Sequence, residues 1–301
     1  MSDEAMARRI RDDHIDILVD LTLHMAGNRA LVFARKPAPV QVNYLAYPAT
    51  SGSPALDWRL TDPFLDPPDQ PPGGGTEQLW RLPETFQLYA PPDPCPDVGA
   101  LPALQKGYVT FGALHNFNKI NPFVLERWGK ILNAVPGSKL LVTMHHGRQG
   151  DAVRQLFAAH GVPSDRLLMT DRLPRVAYLE LYHQIDLTLD PFPYNGYTSS
   201  LDSLWMGAPV VTVAGAAAVS RAGSSVLANM GLKELIADSP EDYVVRAIAA
   251  ASDLERLAAL RKNLRGMMRA SPLLDAEKFT RHIETAYRGM WWQRASAREL
   301  G

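Results

Sequence analysis

A strand, a loop and a helix follow one another in residues 186–213, which read DLTLDPFPYNGYTSSLDSLWMGAPVVTV. The apolar run at 186–189 predicts a β-strand, and a turn-rich loop leads into a helix predicted over 200–206. A second apolar run at 210–213 predicts the next strand. Strands and helices that alternate with short loops are typical of a parallel sheet covered by helices, so this stretch predicts an α/β fold of the Rossmann kind.

The same alternation continues on both sides of this stretch. Strands are predicted at 108–112, 139–144, 166–170, 186–189, 210–213 and 235–236. Helices are predicted at 122–134, 151–160, 175–184, 200–206, 220–230 and 240–251, followed by a helical tail at 254–270 and 275–292. Ligands of such sheets bind beyond the carboxyl ends of the strands, so functional residues are expected in the loops that follow them.

The first hundred residues follow a different pattern. Apolar runs at 14–20 and 39–47 predict two strands, and the residues at 30–36 between them are compatible with a helix. Prolines and glycines are frequent in 62–102, where only a short strand near 78–82 is predicted. We interpret this segment as a linker.

Composition excludes several broad classes of protein. The chain has 301 residues, of which 46% are hydrophobic and 21% charged, as in ordinary globular proteins. Its 31 Lys and Arg balance 32 Asp and Glu, so neither a nucleic acid nor a membrane surface is an expected partner. Cys95 is the only cysteine, and the charged beginning of the chain does not resemble an export signal. These features favour the reducing cytoplasm.

The loop after the predicted strand at 186–189 is the first candidate site. It ends where a helix begins, and the amide groups of a helix start attract anions. The hydroxyls of Thr198, Ser199 and Ser200 add hydrogen-bond donors, so a diphosphate would fit there. Alternatively, Thr198 or Ser199 simply caps the helix. Asp202, one turn further, could accept hydrogen bonds from ribose hydroxyls or merely favour the helix dipole.

A second candidate site is the loop 115–122, which also follows a strand and leads into a helix. Lys119 with the neighbouring Asn116 could neutralise a phosphate leaving group without a metal. Alternatively, Lys119 is an ordinary solvated lysine. The functional interpretation gains support because both loops lie at the carboxyl ends of strands of one sheet.

Motifs for other chemistries are absent from the sequence. There is no Gly-x-Gly-x-x-Gly after a strand, no phosphate-binding P-loop, no short Asp-x-Asp and no Gly-x-Ser-x-Gly. Asp186 and Asp190 are interpreted as residues that end the elements around one strand. His145 and His146 are adjacent and point in different directions, and no carboxylate completes a metal site with them. The sequence therefore predicts neither a metal nor a resident cofactor.

Three further residues are candidates on weaker grounds. Asp20 and His24 lie at and just after the end of the first predicted strand. His24 could act as a general base or orient an acceptor hydroxyl, or it could be a structural histidine. Tyr178 could stack on a nucleobase or belong to the core.

Short segments throughout the chain together resemble the catalytic region of O-linked N-acetylglucosamine transferases, a family that includes the SPINDLY-type protein O-fucosyltransferases. Each segment alone is unspecific, but their order covers nearly the whole chain. They lie at 20–29, 33–42, 47–52, 108–112, 119–122, 195–199, 202, 204–212, 220–221, 271–273 and 290–291.

The resemblance implies a GT-B architecture, that is, two Rossmann-like lobes with the nucleotide-sugar donor held mainly by the C-terminal lobe. It implies inverting, metal-independent transfer of a sugar, in the first instance N-acetylglucosamine, from a UDP-sugar to Ser or Thr hydroxyls of a protein. By resemblance, the donor contacts would be Lys119, Asn116, Thr198 and Ser199 at the phosphates, Asp202 and Arg175 at the ribose, and Tyr178 at the uracil. Asp20 and His24 would lie near the sugar and the acceptor.

The resemblance also implies how the chain is divided. We expect a truncated N-terminal lobe at 1–62, a Pro-rich linker at 63–103, a complete nucleotide-sugar-binding lobe at 104–270 and a C-terminal helix at 271–301 that packs back on the body. Because the family's N-terminal lobe begins upstream of these motifs, an exposed apolar edge is expected near 15–21. An upstream lobe or a tetratricopeptide-repeat protein is an expected partner.

Some positions depart from the family pattern. Leu23 and Met25 flank His24 where Gly and Thr are usual, Ala49 replaces a Gly, as does Ala46, and Ser199 replaces a Thr. Two other functions therefore stay open: a nucleotide-sugar-binding module without turnover, and a nucleotide-sugar epimerase of similar two-lobed shape.

Overall fold

The protein is described by a computed structural model that covers residues 1–70, 74–144 and 147–299. Its chain divides into two compact units. The first unit contains Met1–Leu88, the short segment Ala216–Val219 and the chain from Asp275 onward, and the second contains Tyr89–Gly215 and Ser220–Leu274.

Both units contain helices and parallel strands. The strands are β1 (Ile17–Asp20), β2 (Val40–Asn43), β3 (Trp58–Thr61), β4 (Gln78–Arg81), β5 (Thr110–Ala113), β6 (Lys139–Thr143), β7 (Leu167–Thr170), β8 (Leu187–Leu189), β9 (Val210–Val213) and β10 (Ile236–Ala237). The helices are α1 (Asp3–Asp12), α2 (Ala30–Phe33), α3 (Ala103–Lys106), α4 (Pro122–Ala134), α5 (Arg148–Ala159), α6 (Arg175–Glu180), α7 (Thr198–Trp205), α8 (Ala222–Asn229), α9 (Pro240–Ser252), α10 (Leu254–Arg269) and α11 (Ala276–Glu299).

The first unit is built on a parallel sheet in the order β1-β2-β3-β4. Apolar side chains on one face of the sheet pack against α11, which brings Val42 and Trp58 together with Met290. Gly289 of α11 lies against the Trp80 ring of this sheet, and a Cβ atom at this position would overlap that ring. The C-terminal helix therefore completes the core of this unit.

Most of the first unit's strands agree with the sequence-based predictions. β1, β2 and β4 fall inside the predicted runs, and the predicted exposed apolar edge is present, since β1 ends the sheet and both Ile15 and Leu21 are exposed. β3 was missed. Its four residues alternate between Trp58 and Leu60 on the core side and polar side chains on the other, too short a pattern to distinguish from a loop.

The second unit has a six-stranded, entirely parallel sheet in the order β10-β9-β8-β5-β6-β7. The chain runs outward from β5 in one direction and then returns to start the other half at β8. This is the doubly wound Rossmann order, and its change of direction lies between β5 and β8. All six predicted strands are confirmed to within two residues, and the two candidate loops follow the two strands at the change of direction.

The helices of the second unit begin at recognisable signals. Asn121 caps α4, where its side chain accepts a hydrogen bond from the Val124 amide at 3.0 Å and Pro122 occupies the first turn. Ser239 caps α9 in the same way, before Pro240. These caps explain why the sequence predicted the first residue of both helices correctly.

Within the described residues, no helix combines the length and the apolar character needed to cross a bilayer. The functional boundaries expected at 62, 103 and 270 stay predictions. The segment 63–88 belongs to the first unit and carries β4, whereas the segment 89–103 belongs to the second unit.

Two glycines make the packing of the second unit testable. A Cβ atom on Gly112 in β5 would lie 2.5 Å from the Ile185 side chain, so we expect Gly112→Ala to destabilise the protein by about 1–3 kcal/mol. Gly266 in α10 has open space around it, so Gly266→Ala should stabilise it by about 0.5–1 kcal/mol. Urea unfolding measures both. Equal effects of the two substitutions would contradict this account of the packing.

Candidate functional site

A cavity of about 650 Å³ opens at the carboxyl end of the second unit's sheet. Its walls come from the loops that follow β5, β6 and β7 and from the start of α7. They include most of the donor-site residues predicted from the sequence, namely Asn116, Arg175, Tyr178, Thr198, Ser199 and Asp202. Lys119 and Ser200 do not line the cavity, and the Ser200 side chain is buried. The two candidate loops therefore meet at one site, as their position in the sheet predicted.

The first turn of α7 faces this cavity. Tyr197 is the residue that precedes the helix, and no side chain caps its first turn. The alternative that Thr198 or Ser199 merely caps the helix is therefore wrong: the helix already includes both, and Ser199 Oγ instead lies 2.7 Å from His115 Nδ1. The turn thus presents its amides and the hydroxyl of Thr198 as a surface for an anion.

Lys119 is held in place beside this turn. Its Nζ donates a hydrogen bond to the Asn195 carbonyl at 2.7 Å and lies 3.9 Å from the centre of the Tyr194 ring. Burial lowers the pKa of Lys119, and the carboxylate of Asp190 partly offsets that effect. The alternative of a solvated surface lysine is therefore wrong.

Asn116 has a local structural role as well as a place in the cavity wall. Its side-chain oxygen accepts a hydrogen bond from the Asn118 amide at 3.0 Å, which caps the 3-10 turn Phe117–Lys119. This turn carries Lys119, so the cap by Asn116 helps to fix the backbone position from which the lysine side chain extends.

A buried acid lies beneath the loop between β8 and α7. Asp190 accepts hydrogen bonds from the Gly196 amide at 2.5 Å and from the Thr212 hydroxyl at 2.6 Å. Burial raises the pKa of Asp190 to about 7, against the opposite effect of these bonds and of Lys119. A side chain at position 196 would bring a Cβ atom within 2.7 Å of this carboxylate, which explains the glycine. The hydrogen bond between the Gly196 amide and buried Asp190 therefore holds this loop in place.

His115 lies next to this acid and is also fully buried. Its Nε2 is 3.9 Å from Asp190 Oδ1. Burial, with a smaller contribution from Lys119, lowers the pKa of His115 to about 3, so the imidazole is neutral. From the sequence, His115 had no assigned role, and Asp190 was interpreted only as the end of an element. The clue to their contact was Gly196, whose lack of a side chain indicates a close approach.

Asp202 is tied to Arg175 in the cavity wall. The guanidinium donates two hydrogen bonds to the carboxylate, at 2.6 and 2.5 Å, and the Tyr89 hydroxyl donates a third at 2.8 Å. The bond to Asp202 raises the pKa of Arg175 further above its normal value. Tyr89 was missed because it precedes this helix by more than a hundred residues in an unpatterned segment.

Tyr178 has its ring in the wall of the cavity and its hydroxyl in the core. The hydroxyl lies 2.9 Å from that of Tyr182, which in turn donates to the Ser199 carbonyl at 3.1 Å. Burial raises the pKa of Tyr178. Tyr178 thus packs against the core and also lines the cavity, and its stacking on a nucleobase stays a prediction.

Asp20 and His24 belong to the first unit. Asp20 is buried, and one of its oxygens accepts hydrogen bonds from the amides of Thr22 and Leu23 at 2.9 and 3.1 Å, which shapes the turn after β1. This turn carries His24, whose ring is exposed and lies 3.3 Å from the Thr50 carbonyl through Nε2. Asp20 therefore shapes the turn in which His24 lies.

The pair His145 and His146 lies outside the described residues. Among the residues that the structure describes, no group of three or more His, Cys, Asp and Glu side chains could hold a metal ion.

The buried pair makes the stability of the protein depend on pH. His115 has a pKa of about 3 in the folded state, and an unfolded histidine has one of about 6.5, so acid favours the unfolded chain between these values by about 1.4 kcal/mol per pH unit. Asp190 acts oppositely, because its raised pKa favours the folded chain as the pH falls from about 7 to about 4.

His115→Gln removes only the first of these contributions. We expect the stability difference between the natural protein and this variant to shift against the natural protein by about 1.4 kcal/mol for each pH unit below about 6.5. Urea unfolding at a series of pH values measures the difference. A difference that does not change with pH would show that His115 is not buried in its neutral form.

The comparisons with known proteins agree with this geometry. The chain matches Glycosyl transferase family 41 over residues 2–89 and 101–283. It is 42% identical to the rice (Oryza sativa subsp. japonica) protein named probable UDP-N-acetylglucosamine–peptide N-acetylglucosaminyltransferase SPINDLY, over 97% of this chain and 32% of that protein. It is 30% identical to the Arabidopsis thaliana protein named probable UDP-N-acetylglucosamine–peptide N-acetylglucosaminyltransferase SEC, over 97% of this chain and 31% of that protein. The chain thus spans about a third of the length of these relatives.

Solved structures support the fold. The Thermobaculum terrenum O-GlcNAc transferase, solved in a mutant form, matches with a TM-score of 0.92 at 37% identity, over 99% of this chain and 57% of that one. The Anabaena protein HepE, solved in complex with UDP, matches with a TM-score of 0.59 at 10% identity over 95% and 82%, and shares the fold alone. With its two parallel sheets and the family match over most of its length, the chain has the GT-B fold and belongs to glycosyl transferase family 41.

Proposed function

We propose that this protein transfers N-acetylglucosamine from a UDP-sugar to Ser or Thr hydroxyls of proteins, with inversion at the sugar and without a metal. The observation that carries the proposal is the cavity in the second unit, where an uncapped helix start and an Arg–Asp pair converge. The half-buried Lys119 is hydrogen-bonded to the loop that leads into this helix start. The names of the relatives supply the sugar and the peptide acceptor.

The phosphate part of the donor fits the start of α7. A departing UDP gains negative charge as the bond between the sugar and the diphosphate breaks, and charge of this sign is stabilised by amides and cations that are already in position. The amides of the helix start, the hydroxyls of Thr198 and Ser199 and the ammonium of Lys119 provide this stabilisation, with Asn116 beside them. The site therefore supplies electrostatically what a metal ion supplies in other transferases.

The nucleoside fits the part of the cavity wall that Asp202, Arg175 and Tyr178 provide. A carboxylate such as that of Asp202 accepts hydrogen bonds from vicinal ribose hydroxyls, and the guanidinium of Arg175 has further donors in its planar fork. The ring of Tyr178 offers an aromatic surface to the uracil. Because Arg175 already bonds to Asp202, and Tyr178 to Tyr182, the nucleoside meets a wall that is largely preformed.

In the transfer step, the oxygen of the acceptor hydroxyl bonds to the anomeric carbon while the bond to the diphosphate breaks and its electron pair leaves with UDP. The proton of the hydroxyl needs an acceptor on the side opposite the leaving group. We assign the handling of this proton to Asp20 and His24 of the first unit, with His24 as the group that orients or receives it.

The expected division into lobes and the expected partners belong to the same proposal. The second unit would be the donor-binding lobe, and residues 1–62 would belong to the acceptor lobe. An upstream lobe or a tetratricopeptide-repeat protein would select the acceptors. With a single cysteine the chain forms no internal disulfide, which supports a location in the reducing cytoplasm.

Replacement of Lys119 tests the donor site. We expect Lys119→Ala to weaken UDP binding by about tenfold to a hundredfold and to abolish transfer, because a charged hydrogen bond to the diphosphate is lost. Calorimetric titration with UDP and a transfer assay with UDP-N-acetylglucosamine and acceptor protein measure the two effects. Lys130→Ala is the matched control, since Lys130 lies on the exposed face of α4 in a pair with Glu126.

Unchanged UDP binding in Lys119→Ala would overturn the role of this residue. UDP binding by the natural chain without any transfer would favour the alternative of a binding module. Conversion of the donor without an acceptor protein would favour an epimerase.

Removal of metal ions tests the proposed electrostatics. If Lys119 and the start of α7 replace a metal, transfer should continue at about the same rate in excess chelator, and added magnesium should not raise it by more than about twofold. A loss of activity with chelator that magnesium restores would disprove metal independence.

A further inference from the structure

We infer that Glu77 is a positioning residue for His24: its carboxylate holds the loop 47–52 so that the Thr50 carbonyl selects which ring nitrogen of His24 carries the proton. The inference rests on the proposed function only for its effect on transfer. The link between Glu77 and His24 stands on contacts inside the first unit.

Glu77 is buried just before β4 and serves as the centre of a network of hydrogen bonds. Oε2 accepts from the Thr50 hydroxyl at 2.6 Å, and Oε1 accepts from the Ser51 amide at 2.6 Å. The Asn43 amide group at the end of β2 donates both to Oε1, at 3.3 Å, and to the Ala49 carbonyl, at 2.9 Å. The peptide between Thr50 and Ser51 is thus held on both sides by one carboxylate.

The network requires a charged carboxylate. Burial acts to raise the pKa of Glu77, but the hydrogen bonds from Ser51 and Thr50 outweigh it and lower the pKa below its usual value. The Thr50 hydroxyl also accepts hydrogen bonds from the amides of Gly52 and Thr76, so its own proton must go to Glu77. A glutamine side chain has only one oxygen, and its other end is an NH2 group. The Thr50 hydroxyl and the Ser51 amide each donate to one oxygen of Glu77, so one of them would face the NH2 group and lose its acceptor.

The Thr50 carbonyl determines the state of the His24 ring. It lies 3.3 Å from Nε2, and a carbonyl oxygen can only accept a hydrogen bond, so Nε2 must carry a proton. In the neutral imidazole, Nδ1 is then the nitrogen with a free electron pair. The Tyr47 ring packs against His24 edge to face, with 5.6 Å between the centres, and limits its rotation. His24 therefore presents Nδ1 as the proton acceptor.

This arrangement gives a role to Glu77, whose buried carboxylate does not line the cavity of the second unit. An acid commonly orients a catalytic histidine by direct contact with the ring. Here the acid acts one peptide away, and the intervening carbonyl makes the contact. Glu77 touches no residue assigned to the donor site, so its effect should be confined to the transfer step.

The tautomer of His24 can be measured directly. In the full chain labelled with ¹⁵N-histidine, long-range ¹⁵N–¹H correlation spectra distinguish protonated Nε2 from protonated Nδ1, and the loss of a signal in His24→Gln assigns it. We expect the Nε2–H form in the natural protein and a mixture of both forms in Glu77→Gln. The same Nε2–H form in both proteins would overturn the inference, whether or not the chain transfers sugar.

Transfer kinetics then test the consequence. We expect Glu77→Gln to lower kcat by about tenfold with UDP affinity unchanged, and to have less than about a twofold effect in a His24→Ala background, because coupled residues are not additive. Equal effects of Glu77→Gln with and without His24 would overturn the positioning role. Glu84→Gln is the matched control, since Glu84 pairs with Lys278 away from this loop.

A second pair of variants separates positioning from folding. Thr50→Ser keeps the hydroxyl and should retain both the His24 tautomer and kcat, whereas Thr50→Val removes the hydroxyl and should act like Glu77→Gln. Melting temperatures of all variants show whether the first unit is folded. If Thr50→Val is folded and keeps the natural tautomer and rate, the proposed route through Thr50 is wrong.

Discussion

The hydrogen bonds to the buried carboxylate of Asp190 are the constraint on which the rest of the donor site depends. They fix the loop between β8 and α7 from its inner side, through the Gly196 amide and the Thr212 hydroxyl. The loop in turn provides the Asn195 carbonyl that receives Lys119 and leads to the helix start that faces the cavity. Asp190 is fully buried, yet its hydrogen bonds thereby set the geometry of the groups that a ligand would touch.

The two units use acids in similar ways. Asp202 is shared between Arg175 and Tyr89, all of which lie in the second unit. Glu77, Asn43 and Thr50 form the corresponding network in the first unit. In both places a buried or half-buried carboxylate orders a loop, and in both the donors that satisfy it are amides, hydroxyls or a guanidinium.

Much of the second unit could be predicted from the sequence because local patterns and the fold agree there. The apolar runs at β6 and β9, and the Asn121-Pro122 start of α4, each carry their own signal. The meeting of Lys119 with the start of α7 followed from the rule that parallel strands end at one edge. These features follow from short-range patterns in the sequence and from the general geometry of parallel sheets, so they could be predicted without the structure.

The contacts that the sequence did not reveal are long-range ones. Tyr89 reaches Asp202 across 113 residues, and Glu77 reaches Thr50 across 27. β3 was missed for a related reason, since its four residues become a strand only when neighbours on both sides pair with it. Hydrogen bonds between distant residues depend on the assembled fold, and no local propensity encodes them.

The resting position of Lys119 has a consequence for turnover. Its ammonium lies against a neutral carbonyl and an aromatic face, and no carboxylate is within ion-pair distance among the described residues. An arriving diphosphate therefore breaks no ion pair, and little reorganisation energy opposes its approach. In the proposed reaction the same charge would face the diphosphate after the sugar has left, so spent nucleotide would compete with fresh donor, and the rate in a cell would follow the ratio of the two.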